Sequence, residues 1–234
     1  MLKKVMEEDF LVLRGPLESG RQSPNSLAGT LLLFLFIQPL IFILTYVVAG
    51  DSTIYPNKAI IFTVHLWITA TLIFLSIIYT IPVVYKKSQK IQYLLVILVS
   101  QNVAGACFYI SALFLIGSEN IGMDTPEASL MTFTYVTLLL GLLTFIATSL
   151  RFYILLRKGH YRRGSKKDEL RRKLETNSYL PMVIIIGPLL FFTMLFVLPE
   201  QLVILYCKFR FDSFNYNKKG KLKPFNKQRK GAGK

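Results

Sequence analysis

The chain has 234 residues, 53% of them hydrophobic and 18% charged, with a mean hydropathy of +0.46, which excludes an ordinary soluble domain of this length. Its 28 Lys and Arg against 13 Asp and Glu give a formal charge of +15. The bases are bunched between long apolar runs, a pattern that argues against nucleic acid as a partner and for anionic lipid headgroups.

Residues 1–26 mix Lys3, Lys4, Arg14 and Arg21 with Glu7, Glu8, Asp9 and Glu18. That segment is too long and too acidic for the front of a secretory signal peptide, so the first apolar run is expected to be retained. Phe10, Leu11, Val12 and Leu13 follow the acids as a short patch suited to docking on a membrane surface.

Leu27 to Ala49 is a run of 23 uncharged residues, enough for the roughly 20 that cross a hydrocarbon core. Ala59 to Tyr85 and Ile91 to Gly117 follow at 27 residues each, joined by Lys86, Lys87 and Lys90. Ser129 to Leu156 is a fourth span whose one charge, Arg151, lies near enough to its end to snorkel. The region from Tyr179 to Cys207 is interrupted by Gly187-Pro188 and by Pro199-Glu200-Gln201, so one crossing, over 179–198, is expected there. Lys166 to Glu175 places opposite charges four apart and reads as a water-exposed helix. The segment after Cys207 is rich in Lys, Asn and Gly and is expected to be mobile.

Charge orients the first four spans. With the N-terminus inside, the inner segments carry four, three and nine bases, while the facing ones carry only Lys58, as the positive-inside rule requires. A fifth crossing then places the ten bases after Cys207 outside, against that rule. A re-entrant hairpin turning near Gly187-Pro188 and two short tilted spans are the alternatives. The single crossing is preferred because re-entrant backbone needs shielding that so few helices hardly supply. The expected fold is thus an all-α, polytopic membrane helical bundle of five transmembrane helices. Its parts are a cytoplasmic segment 1–26, a bundle 27–206 with spans near 27–49, 59–85, 91–117, 129–156 and 179–198 and a basic cytoplasmic loop 157–178, and a basic disordered tail 207–234.

No catalytic, cofactor-binding or metal-binding set stands out. His65 and His160 are the two histidines, no H-E-x-x-H occurs, and Cys107 and Cys207 suggest no disulfide framework. Gly231-Ala232-Gly233 has no following helix to cradle a phosphate. His65 alone reads as a helix-packing residue. The remaining candidates are polar groups inside spans, expected to bond between helices or to line a path. They are Gln38 with Pro39 in the first span, and Ser100, Gln101 and Asn102 in the third. Glu200 is the one acid in an apolar region. Threonines 132, 134, 137, 144 and 148 can satisfy their hydroxyls on the preceding helical turn.

This census predicts a multi-pass protein of the cell membrane, without cofactor or enzymatic activity, that works through protein–protein interaction. The roles envisaged are an accessory subunit of a membrane or secretion assembly, or an immunity factor against a membrane-active toxin. The alternative is a small transporter or channel with a polar path near Gln38, Gln101, Asn102 or Glu200. The Lys, Asn and Ile usage suggests an AT-rich bacterial genome.

Overall fold

The computed structural model describes residues 6–51, 53–117, 127–161, 186–217 and 219–225. Among the described residues the structure is helical, without a β-sheet; a β-bridge joins Tyr216 to Leu222. Four helices are long and apolar enough to cross a membrane: α1 (Pro24–Val48), α2 (Lys58–Thr80), α3 (Gln89–Ile116) and α4 (Glu127–Arg157, apolar from Leu130). A fifth long helix, α5 (Ile186–Arg210), packs among them.

The helix ends follow from local chemistry. Ser23 caps α1 by accepting the Ser26 amide at 3.2 Å, and Pro24 follows it where its missing N–H costs nothing. Pro82 holds Ile81 extended, at φ −74° and ψ 122°, because the α region is disfavoured before proline. The second apolar run is therefore cut at Thr80, and Pro82–Lys87 forms a separate short helix. Pro39 sits inside α1, whose last turn, Leu44–Val48, is π-helical. In α3 the stretch Gln101–Cys107 is π-helical as well. Pro199 does not break α5, which runs through it to Arg210.

α1 packs most extensively on α2 and also on α3, while α5 lies between α3 and α4. α4 touches little besides α5. Its inner seam carries Thr134, Thr137, Gly141, Thr144 and Thr148, small residues that let a neighbour approach. The hydroxyls of Thr134, Thr137, Thr144 and Thr148 bond to carbonyls three or four residues back, at 2.7–3.0 Å.

One end of the bundle is closed by a folded cap. Residues Glu7–Arg14 form a 3-10 helix and Gly15–Glu18 a turn of α-helix. Phe10, Leu13 and Leu17 are buried against Tyr93, Leu156, Tyr161, Ile204 and Phe214. The apolar patch at Phe10 to Leu13, expected to dock on a membrane surface, is thus largely spent inside the protein. Val12 bonds through its amide to the Tyr161 carbonyl at 2.9 Å, tying the N-terminal segment to the end of α4.

The tail corrects the sequence reading twice. Residues 211–217 and 219–225, expected to be mobile, are built into this cap; 218 and 226–234 lie outside the described residues. Tyr216 donates its hydroxyl to the Leu17 carbonyl at 2.6 Å and exchanges two hydrogen bonds with the Gln89 side chain at 3.0 and 3.1 Å. Arg14 donates to the Lys223 carbonyl at 3.1 Å, and Ser213 bonds to Glu7. Phe214 and Tyr216 supply the apolar surface that offsets the ordering entropy, and burial pushes the Tyr216 phenol up to about 12. Lys208, 1% exposed, donates to the Phe214 carbonyl at 3.3 Å and lies 5.2 and 5.6 Å from the ring centres of Tyr93 and Tyr216. Such desolvated cation–π contacts stabilise a buried ammonium by about 2 kcal/mol.

The second correction concerns the tail's side. α5 ends beside the N-terminal segment and the end of α4, so the start of the tail does not lie at the opposite face of the bundle. α5 runs 12 residues beyond Leu198, past Glu200 and Lys208, where hydropathy alone ends the span. Arg14, Lys86, Lys87, Lys90, Arg157 and Lys208 share this end of the bundle. Parts of the expected external loop Ser118 to Ala128, the charged helix Lys166 to Glu175 and the start of the fifth span, 179–185, lie outside the described residues.

Candidate functional site

The most polar part of the interior lies where α1, α2 and α3 meet. On α2 the buried residues are His65, Thr69, Leu72 and Ser76, spaced 4, 3 and 4 apart along one helical face. Three of the four are polar, so this face seeks hydrogen bonds inside the bundle, and it finds them. His65 Nδ1 is 2.9 Å from the Tyr46 hydroxyl on α1, and its Nε2 is 3.1 Å from Asn102 Oδ1 on α3. Asn102 donates through Nδ2 to Thr69 Oγ1 at 3.1 Å. Three helices are thereby tied through one imidazole and one amide.

The π-helical stretch of α3 explains why these partners converge. Residues five apart in an α-helix are offset by roughly 140° around the axis. Where bonds run i→i+5 they are about one turn apart and stack. Asn102 and Cys107 are five apart, and both reach His65 Nε2, the Cys107 Sγ at 3.6 Å. On α1 the π-helical turn carries Thr45 and Tyr46; Thr45 Oγ1 accepts from Ser111 of α3 at 3.1 Å and donates to the Ile41 carbonyl at 2.8 Å. Gly50 closes this turn. A methyl group there would sit 2.7 Å from the Tyr46 carbonyl oxygen and 3.1 Å from the Phe114 ring, so only glycine fits. Phe42 packs on His65 with ring centres 5.2 Å apart, and Phe62 meets Tyr46 edge-on at 5.0 Å.

With the Asn102 amide oriented as it is, Oδ1 accepts from His65 Nε2 and leaves Nδ1 to accept from the Tyr46 hydroxyl, which also lies 3.5 Å from the Ile61 carbonyl. This is not the geometry of a thiol–imidazole catalytic pair. Cys107 and Asn102 address the same nitrogen, so Nε2 cannot hold its proton for the amide and also receive one from the thiol. Cys107 is also 1% exposed. Among the described residues, no three His, Cys, Asp or Glu groups come close enough to hold a metal ion.

The residues singled out from sequence are distributed unevenly around this network. Asn102 is at its centre. Gln101 points away and donates to the Met194 carbonyl of α5 at 3.4 Å, beside the Leu195 carbonyl that Pro199 leaves without an amide. Ser100 is half-buried and outside the network. Gln38 is fully buried, and neither atom of its amide has a protein partner; Pro39 beside it is half-buried. Glu200 is half-buried on α5 near Tyr93, well toward the capped end. Sequence reasoning read His65 as a packing residue and missed its partners Tyr46 and Thr69. The signal was the run of polar residues on one face of α2.

The architecture defines the class: an all-helical protein with four helices long and apolar enough to cross a membrane. No protein-family model, curated protein or solved structure matches the chain. Its function is therefore argued from its own residues.

Proposed function

We propose that the chain is a multi-pass protein of the bacterial cell membrane that acts without catalysis, by binding another membrane protein through its helix faces. It serves as an accessory subunit of a membrane or secretion assembly, or as an immunity factor against a membrane-active toxin. The observation that carries this reading is α4. Only 11% of its apolar stretch is buried inside the protein, against 22–39% for the other three membrane-length helices. Leu139, Leu143, Ile146 and Leu150 stand outward as an unbroken aliphatic face. Helix association in lipid uses such faces. The polar side chains of α1 to α3 support the reading from the other side, because most are engaged with one another. The capped end is cytoplasmic in this proposal, its bases lying against anionic headgroups. Both the N-terminal segment and the tail then lie inside, with an even number of crossings between them.

Photo-reactive residues placed at Leu139 and Leu143 should crosslink to a discrete membrane protein in intact cells, whereas the same probe at Trp67 of α2 should not. Crosslinking to lipid alone at all three positions would refute the proposal. A second reading, a small transporter or channel, is favoured by Gln38, whose buried amide has no protein partner. Reproducible solute flux in liposomes that disappears in Gln38→Leu or Glu200→Gln would establish it in place of the first.

A further inference from the structure

We propose that the bundle contains a hydrated site between α1, α2 and α3, in which water is held by the Gln38 amide. The inference does not depend on what binds α4. Leu31, Gln38 and Thr45 recur at seven-residue intervals on α1, and all three are essentially inaccessible from outside. They share one face of the helix, since seven residues make about two turns. Leu31 packs on Leu72 of α2 and on Leu95 and Val99 of α3, an aliphatic layer. Thr45 meets Ser111 of α3. Gln38 lies midway between Leu31 and Thr45 along α1, on the face that packs against α2 and α3.

A carboxamide offers two donors and two lone pairs, and leaving them unmet in a dry interior costs about 1–3 kcal/mol per group. Buried polar groups are almost always paired, with protein or with ordered water. Gln38 has no protein partner for Nε2 or Oε1. Two further groups of these helices have capacity to share. Pro39 has no N–H to offer the Leu35 carbonyl, one turn back on α1. Thr69 accepts from Asn102, and its own hydroxyl proton can be given to another acceptor. An acceptor, a donor and an amide with both functions meet the two to four partners that a buried water requires. Water beside an intrahelical proline is also how membrane helices restore a lost backbone bond.

The test uses the full chain in lipid nanodiscs with glutamine side chains labelled with 15N. The Gln38 NH2 resonance, identified by its loss in Gln38→Leu, should receive magnetisation from water. Gln92, whose Nε2 is bonded to the Pro24 and Tyr79 carbonyls at 3.0 and 3.4 Å, provides an internal reference for a protein-bonded amide. In parallel, Gln38→Leu should lower the folded-to-unfolded ratio about tenfold, because Leu35 and Thr69 lose the water that joins them. A Gln38 resonance with no transfer from water, or a variant more stable than the parent, would show the amide dry and overturn the proposal.

Discussion

Replacing Asn102 with Leu tests whether the polar junction binds the three helices together. The side chains are similar in volume, so the main loss is two hydrogen bonds of 3.1 Å, to His65 Nε2 and to Thr69 Oγ1. Interhelical hydrogen bonds in membranes are worth about 0.6 kcal/mol on average and up to about 2. The substitution also strands the imidazole N–H in a site that is 4% exposed, which adds about 1–3 kcal/mol for an unsatisfied group. A total loss of about 2–4 kcal/mol is expected for Asn102→Leu, and a similar one for His65→Leu, which strands the Asn102 carbonyl and leaves the Tyr46 hydroxyl only its 3.5 Å bond to the Ile61 carbonyl. Once either partner is gone, removing the other should cost less, chiefly the bond it does not share, Asn102 to Thr69 or His65 to Tyr46. Reversible unfolding in bicelles, measured for both single variants and the double variant, should give a coupling of about 1–2 kcal/mol. Single-variant losses that add within about 0.5 kcal/mol would mean that the two side chains act independently, and the junction as described would be wrong.

Three other outcomes are expected. Gly50→Ala should destabilise the protein by about 1–3 kcal/mol, seen as a lower unfolding midpoint, because the new methyl meets the Tyr46 backbone and not a yielding side chain. Cysteines at Glu7 and Ser213, in a background with Cys107 and Cys207 replaced by Ser, should be joined in high yield by a short bifunctional thiol reagent; no joining would refute the docked tail. Tyr216→Phe, which removes only the hydroxyl bonded to the Leu17 carbonyl, should cost about 1–2 kcal/mol and should speed tryptic cleavage at Lys219 and Lys221.

How much of this could be read in advance depended on the kind of interaction. α1 to α4 are legible because each is an uncharged or nearly uncharged run long enough for a bilayer, a property of composition that packing does not overturn. Even there Pro82 moved a boundary by fixing the residue before it. The fifth span was ended at Leu198 because Pro199-Glu200-Gln201 interrupts the apolar run, whereas α5 continues to Arg210. Lys208 is tolerated only through two tyrosine rings and a carbonyl contributed by distant segments, and no local window contains that information. The same holds for the tail: its Lys and Asn content suggested mobility, while Phe214 and Tyr216 found a surface some 200 residues earlier in the chain. At the site, Asn102 stood out as a polar residue in a span. Its pairing with His65 rests on a π-helical register that spacing rules for α-helices do not anticipate.

The cap has a consequence for how the protein is made. Glu7, Arg14 and Leu17 bond with Ser213, Lys223 and Tyr216, so these early residues wait for residues some 200 positions later before their contacts can form. Throughout translation the aromatic and aliphatic side chains of Phe10, Leu13 and Leu17 have no permanent lodging, while α1 to α4 can already be inserted. Closing a loop of that length is slow compared with helix pairing. A ribosome that stops before Tyr216 therefore releases a chain that is correctly embedded yet carries an open, greasy amino-terminal arm. Docking of Phe214 and Tyr216 is the event that covers that arm.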